Sequence, residues 1–551
     1  MSLTYVTAFI ELPGSSTNAS TNASTSASPA DFLEKFLLVA RTGVPIILYI
    51  SRTYYNAFQD QLAALPNVRI GDIVELADTE TWKMVCANGT DLSLPPIRSE
   101  AKDTLEYMVC QHAKAEFMAR ATSISTAHIY AWMDFRVAHV FKNVQASLAE
   151  LTYQAKAHYR PTVNVFPGCW PADTTRSYLD AIHWRFCGGF WAMDRITLEN
   201  FWQLVCRALP TFLRGHGRMV WEVNFWAYLE QHHDWHPQWY KADHNDSLIR
   251  LPTDIYYASA VTQIKPPKPI PIVCPGYQPM NMSYSEYKGV RVLNVRCVNY
   301  TLTPVGSYVI NDPLGIIKTR NVLCVLDASM NIFMTTDVRT NLPLPPIEGA
   351  IEGLEDIRLF EWDGLLYYLA TQRQWTGRNR MMMGLYGQDI RIGMVLEPPT
   401  DTVCEKNWIP CAGVTLRFIY GWHPYSVGEL VGNRLSIKTS VELPGLFRLF
   451  KGSTVPVSYE GRLWCLVHYT IDGSPRKYYH VVVCLDEDTL MPTHWSRPFY
   501  FERVGVEYCT GMTVRDGVMY CWVSRHDRDP CLIEVGLEGV GPLNGLNLGL
   551  T

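Results

Sequence analysis

Two hydrophobic rhythms run along the chain, one in each half. Leu3 to Leu12 is an apolar β-type run, Val44 to Ile50 is a continuous apolar segment of the kind buried on both faces of a sheet, and Val68 to Val74 repeats the strand signal. Between them the spacing turns helical from Thr53 to Leu65. Ser28-Pro29-Ala30-Asp31 marks a helix start, with Ser as N-cap, Pro at the first position and Asp near the positive helix end, and this helix turns Phe32, Phe36 and Leu37 inward. The Ser/Thr/Ala/Asn-rich stretch from Gly14 to Ser28 cannot bury a core and reads as a surface loop. Alternation over the first ~140 residues predicts a mostly parallel, doubly wound α/β/α sheet with ligands at the carboxyl ends of its strands. Those ends are at Leu3–Ile10, Val44–Ile50 and His128–Asp134.

The rhythm changes around Lys265-Pro266-Pro267-Lys268-Pro269-Ile270-Pro271, where four prolines in seven residues favour a stiff, extended connector. From about Val290, short alternating runs such as Leu365–Thr371, Leu463–Thr470 and Val518–Ser524 replace helical spacing. The chain therefore divides into an α/β domain over 1–258, a linker over 259–289 and an all-β domain over 290–551. Related strand openings recur at Val295–Tyr300, Glu355–Arg358, Glu405–Trp408, Phe447–Ser453 and Val506–Gly511, and spacings of roughly 45 to 60 residues suit one four-stranded blade per repeat. A five-bladed β-propeller is predicted, with the polar groups of each opening facing its axis.

Composition narrows the function. The 551 residues are 48% hydrophobic and carry a formal net charge of −5, and no run of like charge resembles the basic footprint of a nucleic-acid binder. The 15 cysteines are dispersed without a C-x-x-C pair, which points to reduced thiols in a cytoplasmic setting rather than a disulfide framework or zinc ribbon. No apolar run reaches the ~18 to 20 residues of a membrane helix.

Candidate chemistry gathers at a few places. Tyr130-Ala131-Trp132-Met133-Asp134 is an apolar strand ending in an acid that either holds a divalent cation or caps a turn and pairs with Arg136. Gly188-Gly189 allows close approach of a ligand or makes a tight turn, and Asp194 opens a helix. Glu222, at another helix start, is a candidate general base, and His244 could complete a metal or diphosphate site.

Taken in order, Val6-Thr7-Ala8-Phe9, Pro45-Ile46-Ile47-Leu48-Tyr49, Trp132-Met133-Asp134 and Gly188-Gly189 resemble the HtrL/YibB-type glycosyltransferase-like family, a GT-A-like group, over roughly residues 3 to 255. The resemblance implies transfer of a sugar from a nucleotide-sugar donor to a glycan or glycoprotein acceptor. Combined with the candidate residues above, this reading assigns Asp134, Glu222 and Asp194 to catalysis, Thr7, Ala8, Phe9, Gly188, Gly189 and His244 to the donor, and Asp134 and His244 to Mn or Mg. Asp134-Phe135-Arg136 stands where many GT-A enzymes have two acids around one residue.

In the second half, Gly353–Arg358, Glu405–Trp408 and Val506–Gly511 resemble the five-bladed propellers of the mannoside-phosphorylase and glycosidase superfamily. The resemblance implies a pocket containing Glu355, Asp356, Arg358, Lys406, Asn407, His468, His480 and Glu507, with an acid beside the glycosidic oxygen and cations for phosphate. The alternatives are therefore a glycoside phosphorylase or hydrolase centred on the propeller, or a glycan-binding protein in which the same groups are ion pairs that stitch blades together.

Overall fold

The computed structural model describes residues 3–12, 28–88, 91–342, 351–541 and 543–545. The chain forms two compact units, Met1–Tyr257 and Ala258–Asn547. Most of the Gly14–Ser28 stretch read as a loop lies outside the described residues.

Unit 1 is a seven-stranded sheet with helices. In chain order it contains β1 (Leu3–Phe9), α1 (Pro29–Ala40), β2 (Ile46–Ile50), α2 (Arg52–Ala63), β3 (Val68–Ile73), α3 (Glu80–Ala87) and α4 (Leu105–Ala121). There follow β4 (Ile129–Met133), α5 (Val144–Lys156), β5 (Asn164–Gly168), β6 (Phe190–Asp194), α6 (Arg195–His216), α7 (Glu222–His232) and β7 (Gln238–Lys241). The strand order is β3-β2-β1-β4-β6-β5-β7, parallel except for β6. β2, β4 and β6 are buried at every position, which is why their sequences run apolar without alternation. α1 starts as its sequence predicts: Ser28 Oγ accepts from the Asp31 amide at 3.3 Å while Asp31 Oδ2 accepts from the Ser28 amide at 2.6 Å.

The topology decides which loops meet. Chain direction reverses its lateral progress at β1, which has β2 on one side and β4 on the other, and such a switch point opens a crevice beyond the carboxyl ends of the strands. β4, β5 and β7 all end at this edge. The antiparallel β6 begins there, since Phe190 pairs with Met133 and Asp194 pairs with Ile129 at the far edge.

Among the described residues unit 2 contains five larger sheets that each pair their strands largely in chain order, and a two-stranded one, Tyr300–Leu302 with Tyr308–Ile310. The first is built on Gln278–Tyr287, Val290–Val298, Thr319–Leu326 and Ile332–Thr340, and the second on Glu355–Trp362, Leu365–Gln372, Arg380–Leu385 and Met394–Val395. The third is Ile409–Cys411, Arg417–Trp422, Tyr425–Val431 and Arg434–Val441. The fourth is built on Lys451–Gly452, Arg462–Ile471, Lys477–Leu485 and Pro492–Trp495. The fifth, Glu507–Arg515, Val518–Arg525 and Arg528–Gly536, takes its outer strand, Lys268–Pro269, from before the first sheet. Innermost strands meet across sheets: Thr510 Oγ1 donates to Met282 O at 2.8 Å, and the Leu359 amide donates to Ser283 Oγ at 2.8 Å. Separate apolar clusters fill the gaps between successive sheets, for example Tyr284 stacked on Trp522 and Trp408 packed among Phe360 and Met381. Five meander sheets closed by an N-terminal strand form a five-bladed propeller.

Two expectations change here. Residues 259–289 are not a linker: Ser259–Ala260 pairs with the fourth sheet, Lys268–Pro269 completes the fifth, and Gln278–Tyr287 is the innermost strand of the first. Proline is tolerated in Lys268–Pro269 because that strand lies at a sheet edge. Val295–Tyr300 is likewise not a blade opening; most of it belongs to the second strand of its blade. Among the described residues no helix is long and apolar enough to cross a membrane.

Candidate functional sites

Beyond the carboxyl edge of the unit 1 sheet lies a cleft of about 890 Å³, lined by residues that include Asp134, Gly188, Gly189, Glu222 and His244. The fold brings these five together from the end of β4, the segment before β6, the start of α7 and the segment after β7. At its floor, Lys114 Nζ on α4 lies 3.2 Å from Asp134 Oδ1 and 3.0 Å from Glu222 Oε1, and donates to Gly188 O at 3.0 Å. Trp132 Nε1 donates to the same Asp134 oxygen at 2.8 Å. Burial works against the Lys114 charge, but Asp134 and Glu222 outweigh it and raise its pKa. Gly188 is required by this packing, since a Cβ there would lie 2.0 Å from Glu222 Oε1. Lys114 is the residue sequence reading misses: α4 buries Gln111, His112, Lys114 and Glu116 as well as its apolar positions, so no amphipathic stripe marks it.

The expected divalent cation does not fit this donor set. The Lys114 ammonium occupies the cationic position beside Asp134, and His244 is an exposed residue on the rim with its ring 5.3 Å from that of His139. Among the described residues no group of three or more His, Cys, Asp or Glu side chains is placed to hold a metal. Thr7, Ala8 and Phe9 do not line the cleft. Thr7 is fully buried within β1, Ala8 is half-buried, and Phe9 stacks on Tyr54 at 4.1 Å and Phe135 at 4.5 Å in the core.

Asp194 is also misplaced for catalysis. It sits at the opposite edge of the sheet, where its carboxylate accepts from the Thr197 amide at 3.0 Å, Thr197 Oγ1 at 2.6 Å and the Val163 amide at 2.9 Å. Asp194→Ala is expected to cost about 2 to 4 kcal/mol in urea denaturation, from a lost N-cap and an orphaned buried amide, without altering ligand binding in the cleft. A variant with wild-type stability would contradict that role.

The propeller axis carries a second constellation. Asn281, Asp356 and Asn407 stand at or just before the innermost strands of three blades with φ of +34°, +49° and +65°. Asn and Asp tolerate this left-handed backbone, which turns their side chains out of the ladder. Asp356 Oδ1 accepts from Arg296 Nη1 at 2.7 Å and Asn281 Nδ2 at 2.8 Å, while Arg296 Nη2 donates to Glu355 Oε1 at 3.1 Å. Lys406 lies 3.7 Å from Glu355 and is 40% exposed along its side chain. Burial disfavours the Asp356 charge, but Arg296, Asn281, Arg358 and Lys406 together outweigh it and hold the carboxyl at about 2.

Asp527 arrives from the fifth blade, in the two-residue turn between Arg525 and Arg528. His526 and Asp527 there adopt φ of +55° and +50°, the left-handed pair that a two-residue hairpin turn uses. Burial, with the Asp356 charge adding to it and Arg296 opposing it, pushes the Asp527 carboxyl up to about 6. Its charge is felt by Tyr300, Tyr308 and Tyr478, and Tyr308 is 58% exposed.

The remaining predicted pocket residues separate into two groups. Arg358 and His468 are buried behind the axial groups: Arg358 donates to Asn407 Oδ1 at 3.2 Å, and His468 Nδ1 is 2.7 Å from Ser453 Oγ. Burial pushes the His468 pKa well down, so its ring is neutral and offers no cation to phosphate. Glu507 and His480 do not belong to the pocket. Glu507 accepts the amides of Phe501, Glu502 and Arg503 at 2.6, 2.9 and 2.9 Å, and the fully buried His480 contacts Glu507 O at 3.1 Å beside Phe499 and Phe501. Sequence reading omits Asn281 and Asp527 and includes Arg296 only within the Val295–Tyr300 run; the recurring Asn or Asp at the openings (Met280-Asn281, Glu355-Asp356, Lys406-Asn407) is the available signal for Asn281.

No protein-family model matches the chain, and no curated protein does. Among solved structures it is similar to a β-1,2-mannobiose phosphorylase from Listeria innocua, at 11% identity over 50% of this chain and 95% of that one, with a TM-score of 0.36. A mannose phosphorylase from Leishmania mexicana, solved with phosphate ion, matches at 13% identity over 53% of this chain and 95% of its own, with a TM-score of 0.33. A glycosyl hydrolase from Bacteroides ovatus matches at 12% identity over 54% of this chain and 98% of its own, with a TM-score of 0.37. The architecture of unit 2 rests on its own sheet topology.

Proposed function

We propose that the protein acts on carbohydrate and that its propeller axis cleaves a glycosidic bond, by hydrolysis or phosphorolysis. The observation that carries this reading is the axial cluster in which Arg296 and Asn281 bind Asp356 and Lys406 stands 3.7 Å from Glu355, with Asp356 held at about 2 by these cations and Asp527 pushed by burial to about 6. Such a split separates a carboxylate from a proton donor in one site. Asp527 is the group able to protonate a leaving glycosidic oxygen, Asp356 is the carboxylate held beside Arg296, and exposed Lys406 is the cation available to an incoming phosphate. Tyr308 offers an aromatic face for a pyranose ring.

The test is turnover of a panel of oligosaccharides, with and without inorganic phosphate. Activity is expected to fall as pH rises through about 6, because the acid must be protonated. Asp527→Asn is expected to lower kcat by about 100-fold or more without unfolding the protein. A rate independent of pH between 5 and 8, or a normal kcat in the Asp527→Asn variant, would remove Asp527 from the chemistry. If no sugar in the panel is cleaved yet some bind, the axis is a glycan-binding site.

A second activity is supported by the unit 1 cleft beyond the ends of β4, β5 and β7: GT-A-like transfer of a sugar from a nucleotide-sugar donor to a glycan or glycoprotein. Arg98 and Lys102 line this cleft and are the side chains able to face a diphosphate. Thermal stabilisation of the whole protein by a nucleotide sugar, equal with and without Mn, is the expected result. No shift with any donor would remove the transferase reading.

A further inference from the structure

The wall of the unit 1 cleft contains two thiols in contact. Cys169 follows β5, Cys187 precedes Gly188-Gly189, and their Sγ atoms are 3.7 Å apart. The backbone holds them in place: the Cys187 amide donates to Pro167 O at 2.8 Å and the Cys169 amide to Trp184 O at 3.0 Å. The two segments run so close that a Cβ on Gly168 would lie 1.9 Å from Arg185 O. A disulfide, about 2.05 Å long, is therefore reachable by a small shift of two side chains.

Two other thiol neighbours, Cys274 with Cys297 and Cys509 with Cys521, are shut inside blade cores. The more exposed Cys86 and Cys404 are free thiols on other elements. At the cleft, Cys169 is half-exposed and Cys187 is only 6% exposed, which gives one sulfur open to attack on a reagent and a second sheltered behind it. The hydrogen bond from Cys187 lowers the Cys169 pKa, and the same contact together with burial pushes Cys187 up. All fifteen cysteines are free in the structure.

We propose that Cys169 and Cys187 are a redox-active dithiol that exchanges with a low-molecular-weight disulfide and, once oxidised, cross-links the base of the 170–186 loop. This goes beyond the glycoside and transferase readings and does not depend on either. Cys169 loses its proton and its thiolate attacks one sulfur of the reagent RSSR; that S–S bond breaks, and RS⁻ leaves and takes up a proton. The Cys187 thiolate then attacks the Cys169 sulfur of the mixed disulfide and expels the second RS⁻, which takes the Cys187 proton. Two electrons pass to the reagent, the protein loses two hydrogens, and two RSH are released. The loop so closed carries Trp170, Ile182 and Trp184 into the cleft, so oxidation fixes the wall against which a ligand would lie.

The experiment equilibrates the full-length protein with oxidised and reduced glutathione in increasing ratio, alkylates free thiols and maps the peptides by mass. The 169–187 link is expected to form at a ratio at least tenfold below that which modifies any other cysteine, and trypsin cleavage after Arg176 is expected to slow severalfold on oxidation. Cys187→Ser is expected to arrest Cys169 as its glutathione adduct. The proposal is overturned if both thiols stay alkylated while Cys86 and Cys404 react, or if Cys187→Ser accumulates no adduct at Cys169. An unchanged cleavage rate at Arg176 overturns the effect on the loop.

Discussion

Replacement of Arg358 by methionine is expected to destabilise the propeller more than any other single change at its axis, by about 4 kcal/mol. The side chain is fully buried on the second blade. Its Nε donates to Ser453 O at 2.8 Å and its Nη2 to Gly452 O at 3.0 Å in the fourth. Nη2 also reaches Asn407 Oδ1 at 3.2 Å beside the third blade and Tyr508 OH at 3.4 Å in the fifth. Methionine fills similar volume but takes the side-chain donor from two buried carbonyls, Ser453 O and Gly452 O, at about 1 to 3 kcal/mol each. Against a total of about 5 to 15 kcal/mol, such a loss brings the domain close to unfolding at room temperature. Lysine should rescue little, because an ammonium cannot reproduce the planar fork that reaches several partners. Equilibrium urea unfolding provides the measurement, and a cost below about 1 kcal/mol would show that the blades do not depend on this residue. Arg358 is thus the stitch that one sequence reading allows for, and its donors are not free for phosphate.

Lys114→Met is expected to be comparably damaging in unit 1, by about 3 to 5 kcal/mol at neutral pH, because it leaves Asp134 and Glu222 beside each other without a cation. The pH dependence should identify the cause. In the wild-type protein the raised Lys114 pKa gives stability that is complete below the unfolded value and lost only as alkaline pH passes the folded one. In the variant, the two carboxylates repel one another without the ammonium between them, so the loss of stability is expected to ease when acid neutralises one of them. Unfolding at pH 5 and pH 8 separates the cases: the deficit should be smaller at pH 5, and a second change, Glu222→Gln, should restore part of it at pH 8. A deficit equal at both pH values would mean that Lys114 acts through packing alone.

Much of the architecture follows from the sequence by itself. Continuous apolar runs mark β2 and β4 because both faces of those strands are covered, Ser28 and Asp31 write their own helix cap, and short alternating runs announce a blade-built second half. These are local effects, fixed by side chains within a few positions of one another. Asp134 and the Gly188-Gly189 turn are legible for the same reason, as a strand end and a backbone that must pass close to something.

Tertiary structure alone decided the rest. Asp134 and Asp194 both stand at the end of an apolar strand, and only the reversed direction of β6 sends one to the cleft and the other to the far edge. The prolines near Lys268 read locally as a connector, yet ring closure across the whole propeller makes Lys268–Pro269 a strand of the last blade. Lys114, Arg296 and Asp527 carry no local signature, because their significance comes from charges brought to them by distant segments, and a charge interaction depends on separation in space and on burial, neither of which is set by neighbours in the chain.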